Sequence, residues 1–364
     1  MAAVPGLTLT ELVVPERIGA PGSAIFEEFV AMVNGISVEL WGNHDFVYSA
    51  EAELPAFRPQ EFVERITFFA RLDRLMVGRV IAEFPLEPDA VTATLLVDVV
   101  PAARGRGIGS ALLAKGEELV AESGRTKISS YTECPAASLT GDVALIRPQV
   151  GPNGVPANSP DTRFALAHGY RLGQIERSSE LPLPMPAERF DALYAEAMRA
   201  AGPDYRVLGW WRHAPEEYVA DFAALRARMT RDVPQSGIAL DDEAWTPSRV
   251  RELEQLMIDR GEPFLCSVAQ HIPSGRLVAY TDLVVPEGGG KVEQHDTLVV
   301  REHRGHRLGM LVKAENIRRL AELEPNATRI LTWNADENEY MLAVNNAFGF
   351  RLHGLVGNWQ KSLD

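Results

Sequence analysis

Two cysteines, Cys134 and Cys266, are all that 364 residues contain. That scarcity excludes a disulfide-stapled scaffold and a cysteine-rich metal centre. No segment reaches the ~18 consecutive apolar residues of a membrane-spanning helix, so no membrane partner is expected. The eight histidines show neither His-x-x-x-His nor Cys–His spacing, and no metal is expected. Basic residues are in deficit: 36 Lys and Arg stand against 50 Asp and Glu, a net charge of −14. That balance argues against a nucleic-acid groove. The opening MAAVPGLTLTELVVPERIG brings acids and prolines too early for a secretory apolar core. The expectation is a soluble, cytoplasmic chain.

What is present is a repeat. Hydrophobic residues make up 46% of the chain, enough for a sizeable core, and the length suits two or three domains. VDVVPAARGRGIGSALLAKGEELVAE (97–122) aligns without a gap on TLVVREHRGHRLGMLVKAENIRRLAE (297–322). Each reads as a β-branched strand, a basic glycine loop and a helix with apolar residues at helical spacing: Ile108, Leu112, Leu113 and Leu119 in the first, Leu308, Leu311, Val312, Ile317 and Leu320 in the second. Downstream, TKISSYTEC and TRILTWNAD read as strands. Helices closed by Gly169 and Gly349, and last strands, follow. Upstream, 66–84 and 263–285 read as hairpins, preceded by helical stretches. The expected fold is therefore α/β (α+β), with mixed sheets in two units, residues 1–182 and 205–364, joined by a linker at 183–204 that begins in LPLPMP. Between the first glycine loop and Gly169 lies an extra Pro/Gly/Asn-rich stretch, 135–159, expected to be a surface loop.

A strand that ends in a loop opening a helix aims several unpaired backbone N–H groups one way, and the helix dipole adds to them, making an anion site. Glycine lets a phosphate approach the main chain. A Walker loop needs Gly-Lys-Ser/Thr, which is absent. The dinucleotide fingerprint needs G-x-G-x-x-G, whereas the glycines here are spaced G-x-G-x-G. RGRGIG fits Arg/Gln-x-x-Gly-x-Gly/Ala, the pyrophosphate loop of coenzyme A acyltransferases, in every position.

On these motifs each half resembles the GNAT acyltransferase superfamily, and the chain resembles the tandem-GNAT proteins of actinobacteria, the group that includes mycothiol synthase. The resemblance implies two units whose fourth and fifth strands splay apart around acetyl-CoA. It also implies acyl transfer to an amine without a metal. It assigns the cofactor to Val99, Val100, Arg104, Gly105, Arg106, Gly107, Ile108, Gly109 and Ser110 in the first half. In the second it assigns it to Val299, Val300, Arg304, Gly305, His306, Arg307, Leu308, Gly309 and Met310, with Asn334 and Asn338 toward the pantetheine. Arg307 replaces the middle glycine; it can still offer its N–H if its torsions are right-handed.

Aminolysis of a thioester needs a base for the ammonium, a donor for the developing oxyanion and, for a poor leaving group, an acid. In KVEQHDTLVV, alternation puts Glu293, His295, Thr297 and Val299 on one face and Asp296 on the other. Some members of the superfamily carry a general-base glutamate at the distance of Glu293 from the loop; the first half has Ala93 there. The superfamily's thiolate-protonating tyrosine is replaced by Asn345 and, in the first half, Ala165, leaving Tyr340 or a water as the acid. The expected catalyst is thus the second half, with Glu293, His295, Tyr340 and Asn345 as its catalytic set and a small-molecule primary amine as acceptor. A non-catalytic acyl-CoA sensor or scaffold, or a protein N-acetyltransferase, is the alternative.

ELWGNHDFVY, with Trp41, His44, Asp45, Phe46 and Tyr48, is read as aromatic packing ahead of an acceptor pocket. Trp210 and Trp211 are expected at the domain junction and Trp333 in the core. Two pseudo-symmetric halves can replace a homodimer, so a monomer is expected.

Overall fold

The computed structural model describes residues 4–141, 143–232 and 237–363. The first half runs β1 (Leu7–Glu11), α1 (Ser23–Trp41), α2 (Ala50–Phe57), β2 (Val63–Leu72), β3 (Leu75–Pro85), β4 (Thr92–Val99), α3 (Ile108–Glu122), β5 (Lys127–Pro135), the two-residue strands β6 (Leu145–Ile146) and β7 (Val155–Pro156), α4 (Pro160–Ala167) and β8 (Arg171–Pro182). Helix α5 (Ala187–Ala201) follows. The second half runs β9 (Tyr205–Trp211), α6 (Glu216–Arg226), α7 (Met229–Asp232), α8 (Pro247–Asp259), β10 (Phe264–His271), β11 (Leu277–Val284), β12 (Gly290–Val299), α9 (Leu308–Leu323), β13 (Ala327–Ala335), α10 (Glu339–Phe348) and β14 (Arg351–Ser362). The repeat is present as expected, each half gaining an edge strand, β1 or β9, at its start.

One sheet of 12 strands runs through both halves in the order β1-β2-β3-β4-β5-β14-β8-β13-β12-β11-β10-β9. Among the described residues only β4–β5 and β12–β13 pair in parallel, and both pairings are brief. The first ends at Thr94 opposite Ser129 and the second at Gln294 opposite Thr332. Beyond those points the strands diverge, giving each half the expected V-shaped gap.

At the centre the last strands are exchanged. β14 pairs with β5 from Gly354↔Pro135 to Ser362↔Lys127, and β8 pairs with β13 from Arg329↔Pro182 to Ala335↔Glu176. Each half's sheet is thus completed by the other's final strand. Both strands alternate in the same way, so nothing in their local pattern selects one partner over the other.

Helix α3 buries Ile108, Leu112, Leu113 and Val120 on one face of the sheet. Helix α9 buries Leu308, Leu311, Val312 and Leu320, as its spacing predicts. The segment between the halves is mostly helix: α5 packs Phe190, Leu193 and Tyr194 onto the second half's core. The 135–159 stretch departs from the surface loop expected of it. It carries the β6–β7 pair, buries Val155, and binds Asp336 of the second half through Asn153 N at 2.9 Å and Nδ2 at 2.7 Å. The tryptophans also change places. Trp210 packs edge-on to Phe222 at 5.1 Å inside the second half's own core. Trp333 meets Phe46 at 6.4 Å, where the two halves touch.

Candidate active site

Both glycine corners share one main-chain path. Arg104 Nε donates to Val99 O at 3.0 Å, and Arg304 Nε to Val299 O at 3.2 Å. Gly105 and Gly305 have φ of 75° and 90°. Gly107 and Arg307 occupy the N-caps of α3 and α9 with φ of 82° and 53°, both left-handed, and no side chain caps either helix. The right-handed torsion on which the Arg307 reading depended is therefore not adopted. Arginine holds a glycine conformation there at a cost of about 1–2 kcal/mol. In both corners the amide after the strand is already used: Val100 N donates to Val77 O and Val300 N to Val278 O, each at 2.9 Å. By alternation the amides of Val97 and Val99 face the gap.

The first gap is open. A cavity of about 650 Å³ lies in it, walled by β4 and β5, by Arg104, Gly105, Gly107, Gly109 and Ser110 of the corner, and by Arg163 and Phe164 of α4. Gly109 allows α3 to lie against α4, since a Cβ there would stand 3.1 Å from the Phe164 ring. His168 Nδ1 meets Phe164 O at 2.9 Å, so Nδ1 is the donor and Nε2 accepts from Ser110 Oγ, also at 2.9 Å. The floor includes Trp359 of β14, whose Nε1 donates to Thr132 Oγ1 at 2.9 Å. The exchanged strand thus brings a residue of the second half into the first half's cavity. Uncapped helical amides, Arg104 and a gap between strands fit an acyl-CoA.

The second gap does not fit one. Helix α5 lies across it. Arg189 Nε donates to Ala347 O at 2.9 Å at the end of α10, and Glu196 Oε1 meets Arg307 Nη2 at 3.0 Å at the start of α9. Met310 is 6% exposed beneath α5. A carboxylate thus meets the N-cap arginine of this corner at 3.0 Å, closer than Asp161 lies to Arg104 in the first corner, 3.8 Å. Inside, Lys313 Nζ donates to Asn345 Oδ1 at 3.1 Å, and Asn345 Nδ2 to Asn334 Oδ1 at 2.6 Å. Burial pushes the Lys313 ammonium down to about 7. Asn338 Oδ1 accepts from Met341 N at 3.2 Å, capping α10. Tyr340 is 89% exposed, which removes it as an acid for that gap.

The strand face expected in KVEQHDTLVV is interrupted by an irregularity between Thr281 and Leu283 in the β11–β12 register. Glu293 and His295 stay together, 3.5 Å apart. Thr297 turns to Thr281 Oγ1 at 2.7 Å, under α9, where Asn316 also reaches Thr281 O. Asp296, assigned to the opposite face by strict alternation, points toward α6, meeting Arg226 at 3.4 Å and Tyr280 Oη at 3.0 Å. Glu293 itself is enclosed. Lys291 donates to Oε1, Tyr48 Oη lies 3.4 Å from the same oxygen, and His295 faces Oε2. Burial works to raise its pKa, but the His295 hydrogen bond and the Lys291 charge outweigh that and hold it at about 2. Beside Glu293, His295 titrates above its ordinary value in spite of burial. A carboxylate so saturated is a weak base.

The base-like group is elsewhere. Glu133 on β5 lines the first cavity. Burial, opposed by a 3.2 Å hydrogen bond from Trp41 Nε1 and reinforced by Asp98 and Glu293, lifts its pKa to about 7. Tyr131, two residues earlier on the same face, also lines the cavity. Burial, Glu133 and Asp98 push its phenol above the ordinary range. The repeat carried a signal for Glu133: aligned on TRILTWNAD, it falls opposite Ala335, a charge on an inner strand where the other copy has a methyl. Trp41 stacks on His353 of β14 at 4.7 Å and 9°, so the aromatic cluster after α1 is packing, as expected, and also holds Glu133.

A strand–glycine corner–helix beside two splayed parallel strands, built twice, defines a tandem GNAT fold. No protein-family model and no curated protein matches the sequence. Solved structures do. A tandem GNAT protein from the clavulanic acid biosynthesis pathway is 23% identical, aligned over 98% of this chain and 98% of its own, with a TM-score of 0.72. A GCN5-related N-acetyltransferase from Sphaerobacter thermophilus is 15% identical over 98% and 96%, with a TM-score of 0.60. A glucosamine N-acetyltransferase region of a fungal multi-domain β-N-acetylglucosaminidase is 14% identical, covering 99% of this chain and 38% of that one, with a TM-score of 0.61. These likenesses establish the fold. Among the described residues, no helix is long and apolar enough to cross a membrane.

Proposed function

We propose that the protein is an acyl-CoA-dependent N-acyltransferase that acetylates a primary amine, with its chemistry in the first half. The observation that carries this is the open, splayed cavity in which a carboxylate of pKa about 7 meets an uncapped anion corner. The second half, expected to be the catalyst, has its gap covered by α5, which bridges α9 and α10, and its glutamate engaged by Lys291 and His295. The units 1–182 and 205–364 remain our division of the chain, with their last strands exchanged.

A bound acyl-CoA supplies an acyl thioester. The corner amides and Arg104 orient its phosphates. Glu133 Oε1, free of the Trp41 bond, takes a proton from the acceptor ammonium; at neutral pH it is divided between its two forms, as a general base needs. The gap-facing amides of Val97 and Val99 are donors for an oxyanion. Tyr131 Oη keeps its proton and is the acid the chain offers in the role that Ala165 vacates.

Release of free thiol from acetyl-CoA in the presence of an amine tests the proposal. Glu133→Gln is expected to abolish most of it, and Glu293→Gln to leave it near wild type in the folded protein. The lost tyrosines favour a second reading, an acyl-CoA sensor without turnover. It is supported if acetyl-CoA binds but no thiol appears with any amine.

A further inference from the structure

The acceptor side of the cavity has a chemistry of its own. Asp98, Tyr131 and Glu133 project toward α1, and Ile36 and Leu40 of α1 form the facing wall. Leu40 is 37% and Tyr131 47% exposed. Both line the cavity, so part of the surface they offer faces it. Large apolar side chains open to a cavity are unpaid hydrophobic area until a ligand covers them.

The polar groups there are nearly all engaged. Asp98 Oδ2 accepts from Arg79 Nε at 2.7 Å, and Arg79 also lies over the Phe29 ring, so that carboxylate is already neutralised. Thr132 is held by Trp359. Glu133 Oε2 is held by Trp41. Glu293, the next carboxylate toward the second half, is closed by Lys291 and His295. What remains on this wall, among the described residues, is Glu133 Oε1, the second oxygen of the Arg79-paired Asp98, and one hydroxyl, Tyr131 Oη.

Such a wall binds one ammonium and one apolar body. A second ammonium finds only the compensated Asp98. A polyhydroxylated amine must bury hydroxyls without partners, which weakens its binding. Resting on the reading of the first half as an acyltransferase, we infer that the acceptor is a primary monoamine carried on an alkyl or aryl chain, and that polyamines and amino sugars are discriminated against.

The test uses the full chain with acetyl-CoA and compares kcat/KM for hexylamine, phenethylamine, spermidine and glucosamine by thiol release. The two apolar monoamines are expected to exceed the other two by about 10-fold or more, the size of discrimination that unmatched polar groups and missing apolar contacts produce. Leu40→Glu adds an anion to the apolar wall and is expected to raise spermidine relative to hexylamine. Its melting temperature reports whether it folds, and the wild-type ranking stands without it. Preference for spermidine or glucosamine overturns the inference and leaves the acyltransferase reading intact. Acetyl-CoA binding with turnover of none of the four amines also overturns it, and favours the sensor over the acyltransferase reading. Absence of acetyl-CoA binding removes the reading on which the inference rests, and the inference with it.

Discussion

Glu133 and Glu293 stand in neighbouring parts of the molecule and are driven in opposite directions. Desolvation dominates at Glu133, where a neutral indole supplies the side-chain hydrogen bond. At Glu293 a lysine and a histidine outweigh the same burial. The pH dependences follow. kcat/KM is expected to rise through about pH 7 as Glu133 loses its proton. Glu133→Gln is expected to lower it about 10²–10⁴-fold and to flatten the profile. Trp41→Phe removes the bond that favours the ionised form and is expected to move the inflection upward; a pH–rate series reads both. Stability carries the opposite signs. Glu133, raised from 4.5 to about 7, favours folding below pH 4.5, an advantage lost as pH rises to about 7. Glu293, lowered from 4.5 to about 2, stabilises fully above pH 4.5 and loses that contribution as pH falls toward 2. Glu293→Gln leaves Lys291 buried without its counter-charge and is expected to cost about 3 kcal/mol in denaturant unfolding. At this scale the sequence was half legible. The repeat shows the absence of a base at Ala93, and the same alignment sets Glu133 opposite Ala335, but a charge on an inner strand gives no sign of its own that burial will raise its pKa. The saturation of Glu293 comes from Lys291 and His295, two residues to either side on the same strand, so alternation already places them beside it; only Tyr48, which reaches the same oxygen from a loop of the first half, has no trace in the strand's own pattern.

Elements were the most legible level. Strand, glycine corner and helix recur at an interval of 200 residues, because the corner needs left-handed torsions and a helix start, and few sequences supply both. Two departures have local physical causes. A register irregularity opposite β11 turned Asp296 to the side of Glu293, and a bulge cannot be read from alternation that it interrupts. Helix α5 reads as linker in the sequence because LPLPMP precedes it. Its apolar face becomes meaningful only against α9. The close approach of α3 to α4 makes a prediction. Gly109→Val places a branched side chain against Phe164, already 3.1 Å from the Cβ position, and is expected to weaken acetyl-CoA binding at least tenfold, while a valine at Gly105, whose Cβ position is open, strains only the loop torsion. Calorimetric titration of the two variants distinguishes them.

For the whole molecule, strand exchange is the feature with most consequence. The first half alone lacks β14, and with it the partner of β5 and the Trp359 floor of the cavity. A fragment ending at residue 182 is therefore expected to expose β5 and β8 and to aggregate or dimerise, whereas fragments 1–204 and 205–364 expressed together are expected to co-elute as one folded complex. Size-exclusion chromatography with light scattering reads this, and for the intact chain tests the proposed monomer. On the proposed function one half binds acetyl-CoA and the other is covered by the chain's own helix α5. The most direct test of this is the calorimetric stoichiometry of acetyl-CoA with the intact protein, Arg104→Glu and Arg304→Glu. One site per chain, lost in Arg104→Glu and kept in Arg304→Glu, is the expected result; two sites, or a single site lost only in Arg304→Glu, contradicts it.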